Sequence, residues 1–569
     1  MAPAPPAQAA GEPLAVMASG FAKLMGARSS GLDADQVSQV ATRLVTFSMN
    51  LLVARQLTPE AYGLSAVQFH LIITTILFLS REGFRRGGLR VRDEAGGGKA
   101  GGGSASVAER VLRTTWLVLP IGAAVSAAVC GFVLWRSQDA EPEYRQAVLV
   151  HGVAALLELC VEPLYIISAT RLEFGRRAAI ETAALLAKCG LTLVLVSRTA
   201  LHPARVFAAA QLAYAGVVAA SYAAYGLTLA AAGELRVRSW RWDAADRATL
   251  RITRLFGIQA AEKLLLAEGS KLALVALESS YNQGVYGLVA NLGSLAVRLL
   301  FTPVEEAAFT AFSRAGLGAA GAPGAAGRAA LASTLGIAVR GVSLLGLLAV
   351  SFGPWYSWLA LRLVYGPAWA ATEAPFVLAC YTCYLLALAV NGITEAFVHG
   401  VLDPAALAAA NAALVGFSAA HVAASLALVR AGGAAGLVAA DTLNMALRIA
   451  YSLWFTRRYF SGVPGFSVRG TLLPSARSLA ACAAASAVLA GSHALLLPGA
   501  RAAHGGAAFW RPVAAHVGVG VAVLAGLAAQ LAVAEGGTAR ALVALRRQRS
   551  GSSGSGADGG GGGAPEKQE

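Results

Sequence analysis

Charged side chains are scarce in this sequence of 569 residues. Asp, Glu, Lys and Arg together make up 14% of it, whereas hydrophobic residues make up 56% and the mean hydropathy is +0.60. A typical soluble domain carries about 25% charged residues. The composition therefore excludes a soluble globular protein and indicates a chain that lies mostly within a membrane.

The sequence also lacks the motifs of ATP-driven pumps and metal-dependent enzymes. It contains no Walker loop and no H-x-x-x-H or Asp-rich motif. Its six cysteines all lie in apolar stretches, where cysteine behaves as a small hydrophobic residue. Cys380-x-x-Cys383 has no second pair or suitable histidine beside it. We expect no enzyme activity, no cofactor and no metal site.

Residues 1–35 lack the apolar core of a secretory signal, so we expect the first membrane helix to direct insertion. Basic residues outnumber acidic ones by 46 to 31, which gives a net charge of +15. In a membrane protein such an excess is typical of cytosolic loops. Nucleic acid is therefore not an expected partner.

Apolar stretches of about 20 residues, the length that spans a bilayer, recur along the chain. They predict an all-α polytopic membrane protein with about 14 transmembrane helices, at 36–57, 60–80, 111–135, 147–169, 178–197, 205–230, 252–277, 283–311, 329–352, 375–400, 404–430, 434–457, 474–497 and 510–534. The shorter aromatic stretch 354–366 is predicted to lie at the membrane interface, where Trp and Tyr accumulate.

The predicted loops differ in charge between the two sides of the membrane. Seven basic residues lie between positions 81 and 110, and six lie between 236 and 254. Both groups are on the side that the two termini share, whereas the opposite loops are short and carry few basic residues. The positive-inside rule therefore predicts that both termini are cytosolic.

A repeat relates the two halves of the chain. Tyr62-Gly63-Leu64 matches Tyr286-Gly287-Leu288 at an offset of 224 residues, and Glu82 matches Glu306 at the same offset. This predicts two six-helix bundles of the same orientation, followed by two additional helices. The predicted division is a cytosolic segment 1–35, a first bundle 36–231 with a disordered Gly-rich loop 95–106, a basic linker 232–251, a second bundle 252–457, two helices within 470–535 and a disordered cytosolic tail 536–569.

Charged residues occur inside several predicted helices, where each costs at least about 2.5–3.5 kcal/mol at mid-bilayer unless it faces the bundle interior or water. Ion pairing explains single cases, such as Glu262 with Lys263, Glu268 with Lys271, and Glu181 with Lys188. For the whole set we favour a polar central cavity. The cations that would then hold an anionic headgroup, because Arg binds phosphate oxygens two at a time, are Arg43, Arg55, Lys263, Lys271 and Arg298.

Three segments resemble one known family. They are ILFLSREGFRRGGL at 76–89, YGLVANLGSLAVRLLFTPVEEAAF at 286–309 and LAVNGITEAF at 388–397. Together they resemble the Rft family of endoplasmic reticulum membrane proteins, eukaryotic members of the multidrug/oligosaccharidyl-lipid/polysaccharide exporter (MOP) superfamily. The resemblance runs from about residue 36 to about residue 460.

The resemblance implies a MATE/MOP-like fold with two bundles around a central cavity, in a multi-pass protein surrounded by endoplasmic reticulum lipids. It also implies a flippase role in moving Man5GlcNAc2-PP-dolichol, the dolichol-pyrophosphate-linked oligosaccharide, from the cytosolic to the luminal face for N-glycosylation. The headgroup-binding candidates that it adds are Arg81, Arg85, Arg86 and Asn291, and it also includes Arg298. The gating or ion-pair candidates are Glu82, Pro303, Glu305, Glu306, Asn391 and Glu395.

Two questions of role stay open at this point. Arg81 and Arg85 either meet the incoming pyrophosphate, or anchor their helix to anionic lipid while carboxylates pair with them across the bundle. Pro303 interrupts helical hydrogen bonding, so it is a candidate hinge. The alternatives for the whole protein are a non-transporting accessory of the lipid-linked oligosaccharide pathway, or a cation-coupled antiporter that uses Glu158 or Asp441.

Overall fold

The computed structural model describes residues 47–89, 107–171, 173–235, 240, 242–316, 324–402, 404–503 and 506–536. Within these ranges all regular secondary structure is helical. Arg43, the N-terminal segment 1–35 and the Gly-rich loop 95–106 lie outside the described residues, and so do residues 537–569 of the predicted tail.

The first bundle begins with a helical stretch over residues 47–54. Its further helices are α1 (Pro59–Gly88), α2 (Ala108–Arg136), α3 (Pro142–Cys160), α4 (Glu162–Thr170), α5 (Phe174–Arg198) and α6 (Pro203–Ala231). Helices α3 and α4 meet at an angle of 42° and together replace the single predicted helix 147–169. The bend follows from Pro163, whose ring and missing N–H prevent a continuous helix through this point.

The second bundle contains α7 (Ala244–Leu277), α8 (Ser280–Ser313), α9 (Ala325–Val364), α10 (Ala374–Val401) and α11 (Pro404–Tyr459). Two helices follow it, α12 (Ala476–Ala502) and α13 (Gly506–Ala534), which pack against each other. Helix α12 also packs against α9, so the added pair is attached to the second bundle.

Ten helices among the described residues are long and apolar enough to cross a bilayer, or eleven if α3 and α4 form one span. Helix α7 is not among them, because eight charged residues are spread over its 34 positions. Helix α11 covers two predicted helices. The number fourteen is therefore not reproduced by this count and stays a prediction.

Helix α11 breaks at two glycines. Gly433 has φ 53° and ψ −129°, a backbone conformation that only glycine adopts without strain, and Gly432 is also non-helical. A side chain at Gly436 would overlap the carbonyl oxygen of Leu428, so the chain turns back tightly on itself. The break lies between the predicted helices 404–430 and 434–457, where the sequence analysis separates them.

The predicted interfacial segment 354–366 is helical as far as Val364, because α9 continues through Pro354, and its position at the membrane interface stays a prediction. Tertiary contacts hold the segment in helical form. The Trp355 indole N–H donates to Ser486 Oγ at 2.9 Å, and the Tyr356 hydroxyl donates to the carbonyl of His516 at 2.7 Å. These aromatic rings therefore pack on the added helices, which hydropathy alone does not reveal.

The predicted linker 232–251 also needs correction at its end, because α7 begins eight residues earlier than the predicted helix 252–277. Asp243 accepts a hydrogen bond from the backbone N–H of Asp246 at 2.7 Å, and the Asp246 side chain accepts from the Asp243 N–H at 3.2 Å. This capping box sets the start of the helix. The first turns are charged, so the apolar pattern missed them.

The two bundles meet mainly through α1. Its second half packs against the first half of α7, where a side chain at Gly83 would lie 2.7 Å from the carbonyl oxygen of Thr253. Its first turns pack against the start of α8. We call the ends of the helices near Arg81 and Arg85 the basic face, and the other ends the opposite face. In the predicted topology the basic face is cytosolic.

Candidate functional site

At the opposite face the backbones of the two bundles touch. A Cβ atom added to Gly284 of α8 would overlap the carbonyl oxygen of Pro59 at the start of α1. A Cβ atom added to Gly63 of α1 would overlap the carbonyl oxygen of Ser280 and lie 2.8 Å from the Gly284 nitrogen. Only glycine fits at either position, so no side chain separates the helices here.

Polar groups continue this contact between α1 and α8. The Gln68 amide nitrogen donates to Gln283 Oε1 at 2.8 Å, and Gln283 is only 2% exposed. Nearer the middle of α8, Asn291 donates to the Tyr62 hydroxyl at 3.3 Å. Asn291, a predicted headgroup ligand, therefore joins the two bundles in this structure.

Beyond Asn291 the two helices separate. Arg298 lies seven residues later, two turns along the same side of α8, and its side chain is exposed. Within the part of the chain that the structure describes, it has no carboxylate partner. Arg298 therefore lies beyond the contact between α1 and α8, towards the basic face, and we call the space between these two helices there the cleft.

Further polar residues lie between α1, α5 and α7. Lys271 Nζ is 2.8 Å from Glu268 Oε2, which confirms this predicted pair. His70 on α1 is exposed and lies within electrostatic reach of Lys271, Glu268 and Lys188. The sequence analysis did not include His70, because a single histidine in an apolar helix gives no signal of its neighbours.

Lys188 of α5 does not pair with Glu181, so this predicted pair is wrong. Glu181 instead meets Arg177, one turn away, at 2.9 Å. Lys188 donates to Gln211 Oε1 at 2.7 Å, and the Gln211 amide nitrogen donates to Glu158 Oε1 at 3.2 Å. Gln211 was missed by the sequence analysis, although it is a buried amide in an apolar helix, which is itself a signal.

Arg81 and Arg85 both meet carboxylates in the first bundle. Arg81 Nη1 lies 3.5 Å from Glu158 Oε2 and 3.8 Å from Glu162 Oε2, and Arg85 Nη2 donates to Glu162 Oε2 at 3.0 Å. The Arg85 guanidinium also stacks 3.7 Å from the centre of the Tyr165 ring. Both carboxylates are buried. In this arrangement the two arginines match the second of the alternatives above, pairing across the bundle.

The other predicted cations differ in their surroundings. Arg86 pairs with Glu82, one turn before it, at 2.7 Å. Arg55 is exposed, as are Glu262 and Lys263, and none of these three has an ion pair within the described ranges. Adjacent residues of a helix point in different directions, so the predicted pairing of Glu262 with Lys263 is wrong.

The second bundle has its own ion pair. Arg448 Nη2 donates to Glu395 Oε2 at 2.6 Å, and Asn391 donates to the same oxygen at 2.8 Å. His399 Nε2 is 3.6 Å from Glu395 Oε1. The predicted Asn391 and Glu395 therefore lie together, and Arg448, 53 residues away in the sequence, completes the cluster.

Pro303 does not break α8. The helix runs through it after a π-helical turn, Val297–Phe301, in which the Thr302 hydroxyl donates to the Val297 carbonyl at 3.2 Å. The Glu305 carboxylate lies against Gly392, where an added Cβ would be 2.8 Å from Oε2. Glu305 and Glu306 are both exposed.

Asp441, considered above as a coupling carboxylate, is buried and has two partners. The Tyr286 hydroxyl donates to Asp441 Oδ2 at 3.0 Å, and His421 Nε2 lies 2.9 Å from Oδ1. The contact joins α8 to both parts of α11. The partners are 155 and 20 residues from Asp441, so spacing gave no indication of them.

Comparison with solved structures shows the fold. The chain is similar to the lipid II flippase MurJ in its inward closed conformation, with a TM-score of 0.55 and 9% identity over 87% of this chain and 98% of that chain. It is also similar to the inward-facing conformation of a multidrug resistance MATE family transporter of the MOP superfamily, with a TM-score of 0.51 and 14% identity over 79% of this chain and 99% of that chain. The predicted all-α, MATE-like membrane fold is confirmed.

Comparison with curated proteins shows the family. The chain is 29% identical over 493 residues to the Man(5)GlcNAc(2)-PP-dolichol translocation protein RFT1 of Xenopus tropicalis, over 82% of this chain and 89% of that protein. It is 30% identical to the protein of the same name from Dictyostelium discoideum, over 72% of this chain and 82% of that protein. The family model described as Rft protein matches residues 29–544, and the chain belongs to the Rft family.

Proposed function

We propose that this protein moves Man5GlcNAc2-PP-dolichol from the cytosolic to the luminal face of the endoplasmic reticulum membrane, where the oligosaccharide is used for protein N-glycosylation. Membership of the Rft family supports this proposal, and so do the names of its relatives. The fold is one that transporters use, and the relatives are named as translocation proteins, which fits a protein that is not an enzyme.

The observation that carries the proposal is the unpaired Arg298 beside the contact between the bundles. A charge inside a membrane is costly unless water or an opposite charge meets it. Arg298 lies on the face of α8 that bonds to α1 through Asn291, yet it is exposed. Its guanidinium is free to bind two oxygens of a pyrophosphate.

The charge balance around the cleft also favours an anionic headgroup. Glu158 and Glu162 are already occupied by arginines, and Lys188 meets only an amide oxygen. Lys271 has one carboxylate, Glu268, as its neighbour. Among these residues the surplus is positive, because Lys188 has no carboxylate partner, and it favours the binding of a pyrophosphate group there. The exposed carboxylates of Glu305 and Glu306 follow Arg298 along α8.

The contact at Gly63 and Gly284 gives the direction of access. It closes the space between α1 and α8 at the opposite face. Towards the basic face α1 packs against α7 instead, and a headgroup enters beside that pair, from the side that is cytosolic in the predicted topology. The dolichol chain stays in the lipid while the sugar headgroup occupies the cleft. Rocking of the two bundles then separates the glycines and opens the cleft to the lumen, with both termini remaining in the cytosol.

Reconstitution into liposomes tests the proposal. Purified protein is incorporated alone, and translocation of fluorescent or tritiated dolichol-pyrophosphate oligosaccharide is measured beside Arg298→Ala. Loss of a hydrogen-bonded charge contact of about 1.5–3 kcal/mol is expected to lower transport by about tenfold to a hundredfold. Arg457→Ala is the matched control, because Arg457 is also exposed at the basic face and has no ion pair among the described residues.

The outcome also separates the alternatives. Transport by the native protein and the control, but not by well-folded Arg298→Ala, supports the flippase. Absence of transport from protein that restores glycosylation in cells favours the accessory role. Transport that requires a proton or sodium gradient and is lost in Asp441→Asn favours a cation-coupled mechanism.

A further inference from the structure

A cavity of about 650 Å³ lies at the opposite face, away from the cleft between the bundles. Its walls come from the last turns of α9, the first turns of α10 and the end of α12. Two arginines line it, Arg362 of α9 and Arg501 of α12. The proposed function does not use this cavity.

The cavity is positively charged. No Asp or Glu is among the described residues that line it, and neither Arg362 nor Arg501 has an ion pair within the described ranges. Each guanidinium instead lies over an aromatic ring, Arg362 at 5.5 Å from the centre of Phe509 and Arg501 at 5.3 Å from that of Trp358. Aromatic stacking leaves the N–H groups at the guanidinium edge available to an anion.

His493 holds Arg501 in place. Its Nδ1 lies 2.9 Å from the Trp355 carbonyl oxygen, which can only accept a hydrogen bond, so Nδ1 carries the proton. The other ring nitrogen, Nε2, then accepts from Arg501 Nη2 at 3.1 Å. His493 is therefore a positioning residue that fixes one of the five N–H groups of Arg501 and leaves the others free.

The remaining lining is apolar and stiff. Aromatic surface comes from Trp355, Trp358 and Phe376, of which Phe376 is 64% exposed. Three prolines also line the cavity and restrict the backbone there. A cavity lined by two cations and by aromatic surface fits an amphiphile with a small anionic head.

The location points to a lipid. Arg362 lies two residues before the end of α9, and Arg501 lies one residue before the end of α12. The positive-inside rule places most basic residues at the other face, whereas two arginines line this one cavity at the opposite face. Trp rings also favour the headgroup level of a bilayer.

We propose that this cavity binds the phosphate group of a membrane lipid in the leaflet at the opposite face. Arg362 and Arg501 hold the phosphate, and the lipid chain lies along Trp355, Trp358 and Phe376. The shared chemistry is a phosphate ester on an apolar chain, which an anionic phospholipid and an isoprenoid phosphate both provide. The added helices α12 and α13 then complete a lipid site of the second bundle.

Native mass spectrometry of the delipidated full-length protein tests the proposal. The probes are phosphatidylinositol, dolichyl phosphate, diacylglycerol and inorganic phosphate. We expect the double variant Arg362→Gln, Arg501→Gln to bind the phosphate-bearing lipids about tenfold more weakly or worse, because two charged contacts are lost. The double variant Arg136→Gln, Arg198→Gln is the matched control, since it removes the same charge from exposed positions at the same face of the first bundle.

Binding of both lipids that is lost only in the cavity variant supports the shared chemistry, and binding of one of them identifies the source of the phosphate. The proposal is overturned if the cavity variant binds the phosphate-bearing lipids as tightly as the native protein does. It is also overturned if the native protein binds diacylglycerol, or inorganic phosphate alone, as tightly as it binds these lipids.

If the cavity variant does not fold, a photoactivatable phosphatidic acid tests the native protein. Labelling of the segments 354–362 and 493–503 is expected, and labelling only elsewhere overturns the site. Liposome transport by Arg298→Ala is a separate readout, so the two proposals fail independently.

Discussion

Gly63 of the first bundle and Gly284 of the second touch through their backbones at the face opposite the basic loops. The contact is flanked by the hydrogen bond from Gln68 to Gln283. It begins at the ends of α1 and α8 and extends as far as the hydrogen bond from Asn291 to Tyr62. A contact of this kind can open without repacking either bundle, which a rocking mechanism requires.

Gly284→Val is therefore expected to force the bundles apart at the opposite face, because any side chain there overlaps the Pro59 carbonyl. Gln283 is only 2% exposed in the native protein, so a cysteine at this position becomes accessible to a labelling reagent when the contact opens. We expect faster labelling of this cysteine by an impermeant maleimide, in protein whose six native cysteines are replaced by alanine. Gly216→Val in α6 is the control, since no atom lies within 4 Å of the added Cβ. Equal labelling of the two variants would contradict the contact.

Arg85→Ala is expected to destabilise the protein strongly. It leaves the carboxylate of Glu162, which is 2% exposed, with only the more distant Arg81 at 3.8 Å. Removal of one partner of a buried pair costs about 3–5 kcal/mol. Thermal denaturation of the purified variant measures the loss, and replacement of both partners by apolar residues of similar size should recover much of it.

The pair of Glu82 and Arg86 provides the comparison. Its side chains are 21% and 33% exposed, and an exposed pair one turn apart contributes about 0.3–0.5 kcal/mol. Arg86→Ala should therefore change the midpoint of unfolding little. A loss as large as that of Arg85→Ala would mean that burial does not decide the strength of these pairs.

Gln211→Leu tests the hydrogen-bonded chain from Lys188 to Glu158. The leucine leaves the Lys188 ammonium without its amide acceptor, and an unsatisfied buried group costs about 1–3 kcal/mol. Gln211→Glu keeps the acceptor for Lys188 but replaces the donor to Glu158 with a second carboxylate, so it should also lose stability. If both variants have the same midpoint of thermal unfolding as the native protein, the chain of contacts does not stabilise the bundle.

The pair of Glu395 and Arg448 is expected to show coupling in a double-mutant cycle. The two side chains meet through a charge-assisted hydrogen bond of 2.6 Å, which is worth about 1.5–3 kcal/mol. The cycle uses Glu395→Gln, Arg448→Gln and the double variant, with unfolding followed in detergent. The corresponding cycle of Glu395 with His399, which is 3.6 Å away, should give a smaller coupling. Equal coupling energies in the two cycles would contradict the expectation that Glu395 interacts more strongly with Arg448 than with His399.

The sequence predicted those parts of the structure that depend on local spacing. Apolar runs located most of the membrane helices, and the spacing of three residues between Glu268 and Lys271 gave a correct ion pair. Local spacing also failed where a nearer partner existed, as with Glu181, which meets Arg177 rather than Lys188. The start of α7 was missed because a capping box, not hydropathy, determines it.

Contacts between distant segments were not accessible from one sequence. The repeat matches Gly63 with Gly287, but the glycine that touches Gly63 is Gly284, because helix packing rather than duplication decides which backbones approach. The partner of Glu395 was also not predicted, because Arg448 lies on another helix, 53 residues away in the sequence. The same reason explains why the contacts of Trp355 and Tyr356 with α12 and α13 were not predicted.

The central claim is that the bundles must separate at the opposite face for the lipid to cross. Cysteines at positions 68 and 283 can be joined by a short reducible linker, because the native glutamines there are hydrogen-bonded across the contact at 2.8 Å. In liposomes the linked protein should not translocate dolichol-pyrophosphate oligosaccharide, and reductant should restore transport, whereas each single-cysteine variant should be unaffected by the linker. Transport by the linked protein at the rate of the native protein would contradict the account.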